Sequence, residues 1–272
     1  MFRCPICKKN LFKEEKSYIC ENGHCFDISK ENYVNLLPAN QKNSLNPGDD
    51  KAMVNARFNF LSLNYYQCLS DALCELAVKY TQKSTAVLDS GCGEGYYTNK
   101  IYDSLIKANK SVFMAGIDIS KWAVRLASKH STGTDFAVGS VFHLPISDNS
   151  IEFLINCFSP LCLEEFHRVL KNKGYFAYVV PSPKHLWELK EQIYESPYEN
   201  EEKTEQYEDF SYIEKKVVEK KVFLPSNQVI KDLFMMTPYA WKTSKQALKK
   251  LDEINSLEIT IGFHIHIYQK ID

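Results

Sequence analysis

The 272-residue chain has no apolar run long enough to cross a bilayer. Its first residues, Met1-Phe2-Arg3-Cys4-Pro5, lack the apolar core of a secretory leader. Both absences point to a cytoplasmic protein with no membrane partner. Glycine and proline are not enriched, at ten residues each, and no internal repeat or low-complexity tract is present, which removes solenoid architectures. Charge of one sign is also missing. With 33 Lys and Arg against 34 Asp and Glu the net charge is −1, so the whole-molecule field would not draw in a polyanion, and local patches would have to hold any nucleic acid. What is present is an ordinary apolar fraction and enough length for one large α/β domain plus a small accessory module.

Cysteine is the exception to this ordinary composition. Four of the nine, Cys4, Cys7, Cys20 and Cys25, fall in the first 25 residues. In a reduced compartment such clustering points to a metal rather than to disulfides. Cys4-Pro5-Ile6-Cys7, then Cys20, then His24-Cys25 gives C-x2-C-x12-C-x3-H with a fifth donor adjacent. Two residues between cysteines let one turn offer both sulfurs to a tetrahedral zinc ion, and a module this small needs such a staple because its core is too small. The favoured ligands are Cys4, Cys7, Cys20 and His24, with Cys25 the rival for the fourth position. A redox C-x-x-C or a disulfide is the weaker reading, since a redox pair would not need the second, distant pair. Lys8, Lys9, Lys13, Lys16 and Lys30 make the module mildly basic. Its rings, Phe2, Phe12, Tyr18, Phe26 and Tyr33, could stack on bases or form the module's own core.

Residues 1 to about 37 form this module. Pro38 to Asp50 reads as a linker rich in Asn, Pro and Gly, and Asp49 or Asp50 caps a helix from about Lys51 through Leu63. A second helix carries Leu69, Leu73, Leu76 and Tyr80 on one face, so 38–80 leads into the main fold. From 81 to 272, strands alternate with helices: Thr85–Asp89, Val112–Asp118, Phe136–Gly139, Ile151–Asn156 and Tyr175–Val180 are strands, with helices after the first and second and around Leu163–Leu170. That alternation implies a parallel sheet covered on both faces. Glu195 to Asp209 is acidic and reads as a solvated loop or exposed helix surface, and Ser256 to Lys270 as a final strand.

The loop Asp89-Ser90-Gly91-Cys92-Gly93-Glu94-Gly95 joins the first of these strands to a helix, where outward backbone N–H groups can meet a ligand. A dinucleotide fingerprint needs glycines at positions one, three and six. Counting from Gly91, the sixth is Tyr96, a large ring where close packing wants a small residue. The form observed resembles the first motif of class I S-adenosylmethionine enzymes, whose ligand brings a carboxylate and an ammonium but no pyrophosphate. Asp118, ending the second strand, could accept both ribose hydroxyls, and Ser140 and Val141 could flank the adenine. Asn156-Cys157-Phe158-Ser159-Pro160 lacks the Asn-Pro-Pro-Tyr pattern of exocyclic-amine methyltransferases. A tight strand–helix turn without a ligand is the bland alternative.

Several motifs recur together in one order: Cys-Pro-x-Cys, Tyr33-Val34-Asn35-Leu36-Leu37-Pro38, Pro47-Gly48-Asp49, Ala56-Arg57, Phe60-Leu61, Gly91 to Thr98, Gly116-x-Asp118-x-Ser120-Lys121, His185-Leu186-x-Glu188-Leu189-Lys190 and Met236-Thr237-Pro238-Tyr239-Ala240-Trp241. Together they resemble the bacterial 23S rRNA guanine-N1 methyltransferases of the RlmA type, over essentially the whole chain. The resemblance implies a class I methyltransferase fold, a Rossmann-like seven-stranded sheet closing with a β-hairpin, preceded by the zinc module. It implies methylation of guanine N1 in a domain II hairpin of 23S rRNA. It carries over Cys4, Cys7, Cys20 and His24 as zinc ligands, and Tyr66, Glu94, Gly95 and His185 as cofactor contacts beside Asp89, Gly91, Gly93 and Asp118. No catalytic base is identified; His185 is a thin candidate. Ser90 in the glycine loop and Asn156-Cys157-Phe158 depart from the family pattern, the second at the base pocket. The rival functions are a small-molecule methyltransferase and a non-enzymatic zinc-ribbon RNA-binding protein, and the sequence leaves monomer and homodimer open.

Overall fold

The computed structural model describes residues 1–271 except 43, 46, 132, 203–205 and 242. Parts of the expected linker and of the acidic stretch therefore lie outside the described residues. Strands β1 (Leu11–Lys13), β2 (Ser17–Cys20) and β3 (Cys25–Asp27) form a small antiparallel sheet in that order. β4 (Tyr33–Asn35) follows, then helices α1 (Lys51–Ser62) and α2 (Gln67–Tyr80). The Asp50 side chain accepts from Met53 N at 2.9 Å, so of the two acids proposed as cap it is Asp50 that starts α1.

The alternating unit runs β5 (Ser84–Ser90), α3 (Tyr96–Lys107), β6 (Ser111–Asp118), α4 (Lys121–Lys129), β7 (Asp135–Val138), β8 (Ile151–Cys157), α5 (Leu163–Val169), β9 (Leu170–Pro181) and α6 (Trp187–Ile193). It closes with β10 (Phe210–Leu224), α7 (Asn227–Met235), α8 (Lys245–Glu253) and β11 (Leu257–Lys270). The sheet order is β10-β11-β9-β8-β5-β6-β7-β4. Strands β4 to β9 run parallel, and β11 is antiparallel to both neighbours. Seven of these strands are the expected sheet. The eighth comes from the N-terminal module: β4 pairs with β7 from Tyr33↔Phe136 to Asn35↔Val138 and covers what would be an open edge. The last two strands pair along their whole length, but they are not the expected hairpin, because the chain between them carries α7 and α8.

Alternation along each strand sends neighbouring residues to opposite faces. Val87, Phe153 and Ile155 pack with α2, α3, α6 and α7, while Leu88, Leu154, Ala115 and Ile117 face the other way. The second face is covered by α5 and the zinc module, whose Phe2, Cys4, Leu11, Tyr18 and Cys20 share one buried cluster with Leu144, Ile146, Leu154 and Phe166. Gly139–Ser150, which connects β7 to β8, contains no helix. The module sits there instead, with Arg3 N donating to Pro145 O and Ser147 N to Met1 O. Among the described residues no helix is long and apolar enough to cross a membrane.

Candidate active site and metal centre

Parallel strands β5, β6, β7 and β8 end on one edge of the sheet, the edge where ligands bind in open α/β folds. At the end of β5 the chain turns through Gly91, Gly93 and Gly95, all with left-handed φ (88°, 54° and 83°). A Cβ at Gly91 would overlap Ser159, and one at Gly95 would press on Ala127 at 2.9 Å. Gly93 is different: only Arg57 Nη1, 3.9 Å away, would be met, so this glycine faces open space. The three glycines thus divide the work of close packing and ligand approach.

Asp118 ends β6 with its carboxylate over the loop, accepting from Gly93 N at 2.9 Å and from Ser120 N at 2.8 Å. Each oxygen keeps a lone pair for a hydroxyl. Asp89 is buried and accepts from Thr98 Oγ1 at 2.6 Å, which ties β5 to α3. Its other oxygen, and Oε2 of the buried Glu94, lack hydrogen-bond partners among the described residues. Burial pushes both carboxyl groups up to about 7, and raises Asp118 as well. Arg57 of α1 stands above them, with Nη2 2.5 Å from Asp49 Oδ2 and Nη1 4.0 Å from Glu94 Oε2.

Tyr66, at the start of α2, and His185 meet on the α-helical side of β11. Tyr66 Oη lies 3.4 Å from His185 Nε2, and both rings pack on Phe263 with centroids 4.9 and 4.7 Å away. Gly262 N donates to His185 Nδ1 at 3.2 Å, so the ring proton sits on Nε2, facing Tyr66. Burial drives the imidazole down to about 3. His185 is therefore neutral with both nitrogens engaged, which argues against the general-base role and for a bracing one. Ser140 and Val141 are buried at the end of β7, while His143 is exposed.

The end of β8 makes a strained turn. Phe158 has φ 57°, unusual for a bulky side chain, and its ring is half exposed. Asn156 Nδ2 donates to Ser159 Oγ at 2.6 Å, and Ser159 Oγ donates to Ser90 O at 2.6 Å, so the turn is fastened to the glycine loop. Sequence reasoning gave no role to Arg57 or Thr98, offered Asp49 only as a rival cap for α1, and placed Asn156-Cys157-Phe158 at the base pocket without its fastening to the glycine loop. Pro47-Gly48-Asp49 and Ala56-Arg57 were visible only as recurring motifs, because charge pairing across 37 residues leaves no local pattern.

In the N-terminal module the Sγ atoms of Cys4, Cys7 and Cys20 and one ring nitrogen of His24 all lie within 4.8 Å of one another. The Sγ–Sγ separation of Cys7 and Cys20 is 3.6 Å, and His24 Nδ1 is 3.5 Å from Cys4 Sγ and 3.4 Å from Cys20 Sγ. A tetrahedron with zinc–sulfur bonds of about 2.3 Å has edges of about 3.7 Å, so the donor set fits zinc. Cys25 is exposed on β3 and outside this group. The Lys9 backbone N–H holds the Cys7 thiol down to about 6, readying it as a thiolate, while burial raises Cys4. Of the five rings in the module Phe2, Tyr18 and Tyr33 are buried, Phe26 is half-buried, and Phe12 is exposed.

The acid-rich edge fits a cationic ligand. Asp49, Glu94 and Asp118 act on the Arg57 guanidinium, and Asp89 adds a fourth carboxylate within reach of Asp118 and Glu94. S-adenosylmethionine carries a sulfonium, an ammonium and one carboxylate, which suits four acids and one guanidinium. A pyrophosphate would meet repulsion there.

Residues 2–45 match the family model described as RlmA, N-terminal, a zinc ribbon, and residues 81–250 match a methyltransferase domain. YxjB of Bacillus subtilis (strain 168), described as a candidate 23S rRNA (guanine-N(1)-)-methyltransferase, is 34% identical over 99% of this chain and 97% of its own length. The 23S rRNA (guanine(748)-N(1))-methyltransferase of Streptomyces fradiae is 32% identical over 69% of this chain and 65% of its own length. Among solved structures, the complex between the Haloferax volcanii Trm112 methyltransferase activator and its candidate methyltransferase holds a chain that aligns with TM-score 0.50 and 18% identity. That alignment covers 83% of this chain and 99% of the other, a likeness of fold.

Proposed function

This chain belongs to the family of 23S rRNA (guanine-N1)-methyltransferases with an RlmA-type zinc ribbon, and from that premise we propose that it methylates N1 of a guanine in a domain II hairpin of 23S rRNA. The single observation that carries the reading is the full-length similarity, which joins a zinc ribbon to a methyltransferase domain in one chain. A zinc module would be unusual in a small-molecule methyltransferase. When bound, S-adenosylmethionine supplies an electrophilic methyl group on a sulfonium.

The chain's own residues do the rest. Gly93 leaves room for the ligand and Asp118, Asp89 and Glu94 offer it carboxylates, while Tyr66 and His185 brace the wall beside it. Guanine N1 lies on the Watson–Crick edge and carries a proton, so the base has to be unpaired or turned out of its stack to reach the strand ends. The Phe158 ring, exposed at the end of β8, is our choice for the surface on which that base stacks. Proton loss from N1 then goes to solvent or a neighbouring group other than His185, whose nitrogens are engaged. Alignment of N1 with the methyl group is the main catalytic device in this scheme. We assign zinc binding to residues 1–37, the connecting strap and helices to 38–80 and methyl transfer to 81–272. Work on rRNA fits a cytoplasmic setting.

The test is direct. Purified protein is incubated with S-adenosylmethionine and a 23S rRNA domain II transcript, and the product is mapped by primer extension, which N1-methylguanine blocks. A stop at one guanine that disappears in Asp118→Ala is expected. Methylation confined to other positions, or to small-molecule acceptors only, would overturn the substrate.

A further inference from the structure

The transfer chemistry above makes no use of Arg57, yet its guanidinium is among the most carefully placed groups at the site. Its side chain is 23% exposed and hangs from α1 over the glycine loop. Nη2 pairs with Asp49 Oδ2 at 2.5 Å, and Nη1 stands 4.0 Å from Glu94 Oε2, beyond hydrogen-bond reach, and 3.9 Å from where a Gly93 Cβ would be. Gly93 is the loop glycine that faces open space, so Nη1 looks across the very gap a ligand would enter.

Asp49 is itself fixed. Ser120 Oγ donates to Asp49 O at 2.7 Å, and Gly48, at φ +82°, lies so close to β6's end that a Cβ would sit 2.8 Å from Ile119 Cγ2. Residues 47–50 thus form a strap across Asp118-Ile119-Ser120, and the strap orients the guanidinium. A fork held by one carboxylate on one side presents its remaining donors on the other, and the group they match is a second carboxylate. Glu94 does not fill that role, because its Oε2 has no hydrogen bond among the described residues.

We propose that Arg57 anchors the carboxylate at the amino-acid end of S-adenosylmethionine, with Asp49 the positioning residue that aims it. This rests on the reading that the glycine loop holds that cofactor. If Arg57 merely balances the charge of its acidic neighbours, it is blind to whether the ligand has a carboxylate.

The experiment is a titration of the full-length, zinc-loaded chain with S-adenosylmethionine and with its decarboxylated analogue, for the wild type, Arg57→Met, Arg57→Lys and Asp49→Asn. The preference for the carboxylate-bearing ligand should fall on the order of ten- to a hundredfold in Arg57→Met, the range of one charge-assisted bond. Affinity for the decarboxylated analogue should hold within about twofold. Arg57→Lys should keep part of the preference, and Asp49→Asn should lose part of it. Equal weakening of both ligands, or no change in either, overturns the proposal. If Arg57→Met fails to fold, the comparison of Arg57→Lys with wild type decides in the same way. A wild type that binds neither ligand would instead refute the cofactor site itself.

Discussion

Asp89 and Glu94 are held near 7 by burial, with no cation in hydrogen-bond contact among the described residues. Their folded values lie above their unfolded ones, so they favour folding at acid pH, and that contribution fades as pH rises from about 4 through 7. A cationic ligand reverses the preference by favouring the carboxylates. Cofactor binding should therefore release protons and tighten as pH rises from about 6 to 8, which calorimetry in buffers of different ionisation enthalpy measures. Binding that is independent of pH across this window would show that the two carboxyls do not face the ligand. Phe158 gives a second prediction at this scale. Phe158→Ala should lower kcat/KM for rRNA by about 10- to 100-fold, the worth of one base–ring stack, and leave cofactor affinity unchanged. Unchanged RNA kinetics would remove the ring from the base pocket. Single residues were legible where local spacing carries them: the cysteines, the glycines and Asp118 stand in the positions expected. Arg57 and the tautomer of His185 were not, because each depends on partners many residues away, Glu94 across 37 residues and Gly262 across 77.

Elements were read best where apolar periodicity is strong and worst where the chain is both exposed and charged. α1, α2 and five of the six parallel strands, β5 to β9, fall within a few residues of their expected bounds, apart from the longer β9. β10 was missed. Its 15 residues include Glu214-Lys215-Lys216-Val217-Val218-Glu219-Lys220-Lys221, which offers no continuous apolar face, since it is an edge strand held by backbone pairing with β11. Its charges suit an edge that must not pair with another chain. α7 and α8 fill the connection that a simple hairpin would leave short. The strap of residues 47–50 is the element with the sharpest consequence. Gly48→Ala puts a side chain at φ +82° and 2.8 Å from Ile119 Cγ2. We expect a loss of about 1–3 kcal/mol, seen as a lower Tm, together with weaker cofactor binding because the strap spans the end of β6. A variant with unchanged Tm and unchanged cofactor affinity would show that the strap is dispensable.

At the scale of the whole molecule the zinc module is part of the main fold as well as a metal site. It supplies β4 to the sheet, covers the β7–β8 connection where no helix stands, and shares a buried cluster with Leu88, Leu144, Ile146, Leu154 and Phe166. A ribbon that only reached for RNA would hang on a linker and bury its own few rings. Here Phe2 and Tyr18 lie edge to face at 5.3 Å within the cluster that also holds Ile146 and Leu154. The charge pairs at the seam, Arg3 with Asp148 and Lys13 with Asp135, both at 2.6 Å, are surface pairs worth little on their own, so apolar burial has to carry the contact. Metal binding in such a module is folding free energy, and losing the zinc should expose one face of the sheet along with the ribbon. Chelation should therefore lower the Tm of the entire chain by roughly 5 °C or more in a single transition, given about 2–4 °C per kcal/mol for a domain of this size. Two transitions, with the upper one unmoved by chelator, would show that the ribbon and the catalytic sheet are energetically separate. In the single-transition case, a variant such as Cys7→Ala loses rRNA methylation partly through a weakened sheet. Cofactor titration on that variant then separates the two effects, because the glycine loop lies on the edge of the same sheet.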